Sequence, residues 1–583
     1  MQRREAPWAG DLSSFPEAHH SGPVSVALAP AEILVGPLLR YVGTTTATVW
    51  VETSVATEVT VLEQRTNTFQ VEGHHYALVL LENLEPASVT SYEVHLDGRR
   101  AWPPADDARP SPTIRTRAGE RQARLVFGSC RVGAPQRPPY TLLPVDHPRG
   151  LGVDALWAYS RQLQRNDADW PDGLLLLGDQ VYADLVPPET AAFIRGRRDV
   201  REPPGEEVAD FEEYTRLYRE SWSDPDVRWL LSTVPTAMIF DDHDVRDDWN
   251  ISESWVAEMR SLPWWEERIT GAFMAYWLYQ HIGNLSPPEL AEDVLLREAR
   301  EDDEAGPRLR AAATGWDREP SSTRWAYYRD FGRSRLLVID SRSARVLADG
   351  RREMIDDEEW DWITEHARGS FDHLILATTL PAFALHGIHH LESWNEAVCD
   401  GRWKSFAAQL AERLRRAVDL EHWAAFQRSF ERLVDLLRAV SRGLGGNAPA
   451  TITILSGDVH TTYIAEIDLG IEAGPTRVHQ VVCSPFRNPL TPQERRVVRA
   501  TGSRMAALVF ATLARACRVP VPTAMWRFPS SASFDNSIGE LRLDQRRANV
   551  TLFRSTQDPN GRLTQASSVE LATCQAEVGN LMG

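Results

Sequence analysis

In "VPTAMIFDDHDVRDDWN", residues 234 to 250, an apolar run meets three acids in four positions, Asp241, Asp242 and Asp244, wrapped around His243. Like charges packed at a strand end destabilise one another unless something cationic sits between them. Three other apolar runs end in comparable groups: "FGSCR" in Cys130 and Arg131, "LLLLGDQVYAD" in Asp179 and Tyr182, and "ILSGDVHTT" in Asp458 and His460. Each alone has a plain structural explanation. A cysteine after a strand packs as a small hydrophobe, Asp after Gly makes a turn or a helix cap, and Tyr182 or His460 suits a core. Together, carboxylates, a phenol, a thiol and an imidazole form a donor set for multivalent cations, iron or manganese beside calcium or zinc. The glycines before Asp179 and Asp458 permit tight turns and close approach of backbone to a ligand. Asp242 is the ligand chosen from the acidic cluster, with Asp241 or Asp244 in support.

The elements that would carry these groups are short buried strands separated by helical segments. "ARLVFGSCR", "DGLLLLGDQVYAD", "TAMIFDDHD", "RSRLLVIDSR", "DHLILATTLP" and "TITILSGDVHTT" have the consecutive Leu, Ile and Val of strands covered on both faces. Alternation with helices such as "GVDALWAYSRQLQRN" indicates an α/β domain with its chemistry beyond the strand ends. Before it, from Ile33 to about Arg117, stretches such as "ATVWVET", "TEVTVLE" and "TSYEVHLDGR" alternate apolar and polar residues between turns. That texture reads as a small β-sandwich. "LENLEPASVTSYEVHLDG" resembles the Leu-x-Pro turn and Tyr-bearing strand of fibronectin-type and immunoglobulin-like sandwiches. The expected domains are a flexible arm over 1–30, a sandwich over 31–117 and a catalytic domain over 118–583, with helical insertions near 190–330 and 404–447. Beyond Thr501 only "IGELRLDQRRANVTLF" stands out, as a strand pair.

With 583 residues the chain is too long for one core, and a formal charge of −19 disfavours a nucleic-acid scaffold. Five cysteines, Cys130, Cys399, Cys483, Cys517 and Cys574, are scattered and odd in number, which speaks for a reducing compartment and not for a disulfide framework. The N-terminus has no apolar signal core and the longest apolar runs are too short to span a bilayer, so a cytoplasmic location is expected.

"GDQVYAD" looks like the Gly-Asp-x-x-Tyr block of metallophosphoesterases, "DDHD" stands where that superfamily has Gly-Asn-His-Glu, and "SGDVH" where it has Gly-His-x-His. With "FGSC" and the late "FDNSIGEL", the set resembles the PhoD-like (alkaline phosphatase D) branch over roughly residues 31 to 550. The resemblance implies an αββα sandwich with helical insertions behind an N-terminal β-sandwich. It also implies a bimetal centre that hydrolyses phosphate monoesters or diesters of small-molecule or phospholipid type. Asp179 would bridge two ions; Cys130 and Tyr182 would hold the more oxidised one, Fe3+; Asp242, Asp458 and His460 would complete the pair, with Ca2+ as partner ion and Mn2+ or Zn2+ as alternatives. His243 is the candidate for steadying phosphoryl oxygens or protonating the leaving alkoxide. Arg131 is the candidate phosphate clamp, against a competing role in a salt bridge. The branch differs from this chain at Asp244, where Glu is usual. His386, His389, His390 and Glu392 lie where many relatives offer a further histidine ligand, and a ligand, pocket or structural role is open for them. Trp249, Trp255, Trp264 and Trp265 read as core, with a cleft wall as the alternative.

Two other readings compete. Haloacid-dehalogenase-type phosphatases need Asp-x-Asp after the first strand, where this chain has "FGSCR". A catalytically decayed binding or scaffold protein would have no reason to keep the full ligand set.

Overall fold

The computed structural model describes residues 30–572 apart from 118, 120–121, 166–169, 348–350 and 404. The expected N-terminal arm and Cys574 therefore lie almost wholly or wholly outside the described residues.

Two sheets dominate the larger part of the chain. In the first, Thr236–Ile239, Gly173–Leu177 and Ala123–Gly128 run parallel, and Ser537–Asp544, Arg547–Ser555 and Leu563–Ala572 continue it antiparallel. In the second, Ser334–Ile339, His373–Thr378, Thr451–Ser456 and Arg477–Val482 are parallel neighbours, flanked by Tyr327–Phe331 on one side and by Tyr463–Asp468 and Met525–Arg527 on the other. The two-residue period of a strand explains how the sheets stack. Leu336, Val338, Ile375 and Ala377 share a core with Leu125, Leu175 and Ile538 of the first sheet. Leu337, Ile339, Leu374 and Leu376 point the other way and pack under the helices Asp357–His366 and Gln427–Ser441. Helix Ala155–Leu163 covers the far side of the first sheet. This is the αββα arrangement, with both faces of each parallel region buried.

The third strand beside the expected late pair, Leu563–Ala572, was not legible because its "LTQASSVELA" alternates weakly. Helix Arg504–Ala516 also lies in that tail.

The N-terminal region is an antiparallel sandwich. One sheet orders Ile33–Val42, Ala47–Thr53, His74–Leu81 and Phe69–Val71; the other orders Gln64–Asn67, Glu58–Val61, Val94–Leu96 and Arg99–Trp102. Val49, Val51, Ala77 and Val79 meet Val59, Val61 and Leu96 between them. The alternation in "ATVWVET" does not mark an exposed face: all seven residues are buried. Trp50, Leu38 and Tyr76, on the opposite face, enter the main core. There the wholly buried Arg40 donates to the carbonyls of Thr236, Tyr279 and Gln280 at 3.0, 2.7 and 2.6 Å.

Residues between Thr236–Ile239 and the second sheet are largely helical, from Glu253–Arg260 and Trp265–Ala275 through a π-helical turn, Tyr276–His281, to Gly306–Arg318. Trp249 packs on Phe240 and Phe273, and Trp255 on Trp265, as core. Among the described residues no single helix is long and apolar enough to cross a membrane.

Candidate metal centre

Because three neighbouring strands of the first sheet and four of the second run parallel, their C-terminal ends fall on one edge of each sheet. Cys130 follows Ala123–Gly128, Asp179 follows Gly173–Leu177, a 3-10 turn at Asp242–Asp244 follows Thr236–Ile239, and Asp458 and His460 follow Thr451–Ser456. Glycines let these tips close up. Gly178, at φ +94°, would place a Cβ 2.6 Å from that of Asp241, and a Cβ on Gly457 would overlap Ser129. Cys130, Asp179, Asp458 and His460 themselves sit at φ 56°, 52°, 64° and 45°. Such backbone is costly for residues with a side chain and is kept where a site requires it.

The predicted ligands converge. Donor atoms of Cys130, Asp179 and His460 lie within 4.8 Å of one another, as do those of Asp179, Asp242 and His243, and those of Asp241, Asp242 and Asp458. The Tyr182 hydroxyl stands 3.3 Å from Asp179 Oδ2 and 3.4 Å from His460 Nε2, and accepts from Asn488 Nδ2 at 3.2 Å. Ser129 and Ser484 hydroxyls lie 3.1 and 3.2 Å from Cys130 Sγ. Asp244 is supporting structure: its Oδ2 accepts the backbone N–H of Asp179 and of Asp241, both at 2.9 Å, and its Oδ1 accepts from Gln280 Nε2 at 3.0 Å. Gln280 belongs to the π-helical turn whose carbonyls Arg40 holds, so the N-terminal sandwich braces the centre at one remove.

The electrostatics are those of a site built for cations. Burial raises the pKa of Asp179 well above the carboxylate range, and Asp242, Asp241 and Asp458 add to it against the opposing His243. Burial, then Asp179, raises both Cys130 and Tyr182. Burial lowers His460 to about 4, which keeps its imidazole neutral and able to donate a lone pair. Asp179 Oδ1 and Asp241 Oδ2 are buried without a hydrogen-bond partner, and Asp242 Oδ1 meets only the Arg342 guanidinium, at 3.1 Å. Native proteins rarely leave such oxygens orphaned, and a cation is the species that would satisfy them. The donor set fits the metals expected from the sequence.

His243 sits over the Tyr182 ring with centroids 4.4 Å apart, and its Nδ1 is 2.9 Å from both oxygens of Asp184. Burial opposes its charge, but Asp184, Asp242 and Asp179 raise its pKa well above the ordinary value. A cleft of about 450 Å³ opens beside it, lined by Asp184, Leu185, Asp247, Trp255 and Arg416 among others.

Arg131 is placed differently from the clamp expected of it. Its Nε donates to Asp154 at 2.8 Å and its Nη1 to the carbonyl of Ser221 at 2.6 Å, with the side chain buried. Asp154 caps helix Ala155–Leu163, so Arg131 ties that helix to the first strand. His386 and His389 pack on Trp526, and His390 neighbours His389; none of the three belongs to the convergent groups. Glu392 instead binds His422, whose Nε2 lies 3.6 Å from Asp458 Oδ2.

Sequence reasoning missed Arg342 and Glu421. Arg342, wholly buried, pairs with Asp241, with Asp242 Oδ1 at 3.1 Å, with Glu421 at 2.5 Å and with Asp458 Oδ1 at 3.5 Å. It stands three residues after Ile339, as Cys130 stands two after Gly128. That shared position at a strand end was the available signal.

Residues 154–302 match the family of PhoD-like phosphatases. The resemblance is to that family. The matched segment holds Asp179, Tyr182, Asp242 and His243; Cys130, Asp458 and His460 join them through the fold alone. Residues 30–114 match a domain of unknown function, DUF7800. The solved structure of PhoD is 12% identical, covers 94% of this chain and 92% of its own, and superposes with a TM-score of 0.58, a likeness of fold. A purple acid phosphatase from yellow lupin (Lupinus luteus) seeds is 12% identical over 92% of this chain and 74% of its own, with a TM-score of 0.43. No curated protein matches.

Proposed function

We propose that the protein is a metal-dependent hydrolase of phosphate esters. The observation that carries this reading is the convergence of Cys130, Asp179, Tyr182, Asp242, Asp458 and His460 from four strand ends of two sheets around orphaned buried oxygens. Asp179 and Asp242 each belong to two of the convergent groups; Asp179, common to the group of Cys130 and His460 and to that of Asp242, would be the residue shared between two cations. Cys130, Tyr182 and His460 would hold the harder-charged ion, Fe3+, and Asp242 and Asp458 its partner, Ca2+, with Mn2+ or Zn2+ as substitutes. Cations held there would lower the pKa of water and neutralise charge developing on the phosphoryl group.

The chain's own residues prepare the rest. Asp184 fixes the His243 ring through Nδ1, which leaves Nε2 to give a proton to the departing alkoxide. Arg342 offsets part of the repulsion among Asp241, Asp242 and Asp458, although burial still raises the pKa of Asp241 and Asp242. Burial opposes ionisation of Asp458, yet the His422 hydrogen bond and Arg342 hold it down to about 2. The cleft beside His243 would receive the leaving group, and the buried free thiol of Cys130 suits a reducing, cytoplasmic setting.

Metal analysis paired with a panel of phosphate monoesters and diesters tests this. Stoichiometric metal with turnover on the panel is expected, and Cys130→Ala should lower iron content. Metal-free protein that remains inactive after loading would leave the binding-protein reading standing instead.

A further inference from the structure

The helices Pro492–Thr501 and Arg504–Ala516, bent by 57° to one another, follow closely on Asn488, the donor to Tyr182. They differ from the rest of the surface in two ways. On the second helix Met505 and Leu508, 77% and 67% exposed, turn an apolar stripe outward with Val509. Helix Ser405–Ala417, which joins it through the small cluster of Ala397, Ala411 and Ala514, adds Phe406 and Leu410 at 71% and 66%. Monomeric proteins seldom leave such residues together in water.

The second difference is charge. Residues 492–518 contain six arginines, Arg495, Arg496, Arg499, Arg504, Arg515 and Arg518, and one acid, Glu494, a net of +5 in a chain of −19. Elsewhere on the surface many arginines pair with carboxylates, as Arg416 does with Glu258 at 2.6 Å and Arg308 with Asp302 at 2.7 Å. Among the described residues none of these six is ion-paired. Arg495 donates to the carbonyls of Leu490 and Phe534, and Arg499 lies over the Phe534 ring.

We propose that this helix pair docks the protein on an anionic lipid bilayer. An apolar stripe edged with arginines is the composition of a helix lying in the headgroup plane, apolar face down, with the guanidinium groups at the phosphates. A second copy of the chain fits the same face poorly. A two-fold contact would set arginines against arginines, and the remaining surface of this acidic protein repels an anionic sheet, which restricts contact to this patch.

Flotation of the full chain with vesicles tests it, and the readout needs no turnover, so it stands apart from the hydrolase reading. Vesicles of phosphatidylcholine alone should leave the protein in solution. Vesicles containing phosphatidylglycerol should carry it up, less so at high salt. Arg496→Gln with Arg504→Gln should weaken binding roughly twenty-fivefold, at about fivefold for each arginine near the surface. Met505→Asp with Leu508→Asp should abolish flotation while the circular dichroism spectrum and hydrolysis of a soluble ester stay unchanged. Failure of the unsubstituted protein to float, or undiminished flotation of the Asp variant, would overturn the proposal. So would light scattering that shows a dimer dissolved by Leu508→Asp without any vesicle binding.

Discussion

Arg40 and Arg342 are both wholly buried, and they sit in opposite surroundings. Arg40, where the N-terminal sandwich meets the helical region, is held by the carbonyls of Thr236, Tyr279 and Gln280 and the amide oxygen of Asn284. Burial, with Arg329 adding to it, lowers its pKa to about 9. Arg342 is ringed by Asp241, Asp242, Glu421 and Asp458, which outweigh the cost of burial and raise its pKa. Neutral acceptors suffice where a cation only joins two parts of a fold. Where carboxylates have been gathered for another purpose, the arginine is one member of a charge balance that still leaves oxygens of Asp179 and Asp241 without partners. The first environment is complete in the protein alone, and the second calls for further cations.

The largest expected effect strikes that difference directly. Asp179→Asn should reduce phosphoester hydrolysis by orders of magnitude while the metal-free protein melts no lower than the parent, because a repelled buried carboxylate has been removed. Near-normal turnover would reject the shared-ligand role. Next, Arg342→Gln leaves its carboxylates uncompensated and should cost about 3–5 kcal/mol, part of it recovered on adding Ca2+, which would stabilise the folded form by binding it. Arg40→Met should cost about 1–3 kcal/mol through unsatisfied carbonyls, with metal content retained and with Ca2+ raising its stability no more than it raises the parent's. Melting temperatures with and without the ion measure both; equal responses would erase the distinction.

The smallest effect concerns the same sandwich interface. His74 joins Glu52 of the sandwich, at 3.1 Å, to Glu212 of helix Phe211–Trp222, at 2.8 Å. Burial opposes its charge, but the bonds to Glu212 and Glu52 raise its pKa from 6.5 to about 9. A raised histidine contributes stability that is fully present below 6.5 and lost as pH climbs through 9. Thermal melts across that window should show a decline that His74→Gln lacks.

The strand ends bearing Asp179, Asp242 and Asp458 were legible because glycine turns and consecutive Leu, Ile and Val announce parallel strands in local sequence. Arg342 was not, although its strand was recognised, because an Asp-Ser-Arg ending has nothing local to set it apart from a surface turn. Its meaning comes from Glu421, 79 residues on. The same holds for His422, which approaches Asp458 where the histidines from His386 to His390 had been considered. Arg131 shows the converse. Beside a cysteine at a strand end it looked poised for phosphate, but the partner that claims it, Asp154, is a helix cap whose position no spacing reveals. The sandwich was legible from alternation, while the burial of both faces of its first sheet depends on Trp50 and Tyr76 meeting helices far along the chain.

The first sheet also sets an order on synthesis. Its opening strand, Ala123–Gly128, finds its antiparallel neighbour only in Ser537–Asp544, and three of the six strands come from beyond residue 536. A nascent chain must therefore carry one side of Ala123–Gly128 as a bare, aggregation-prone edge until the residues past Asn536 emerge from the ribosome. Truncation just before Ser537, far from every candidate ligand, would then be expected to yield insoluble protein and not a shortened, folded one.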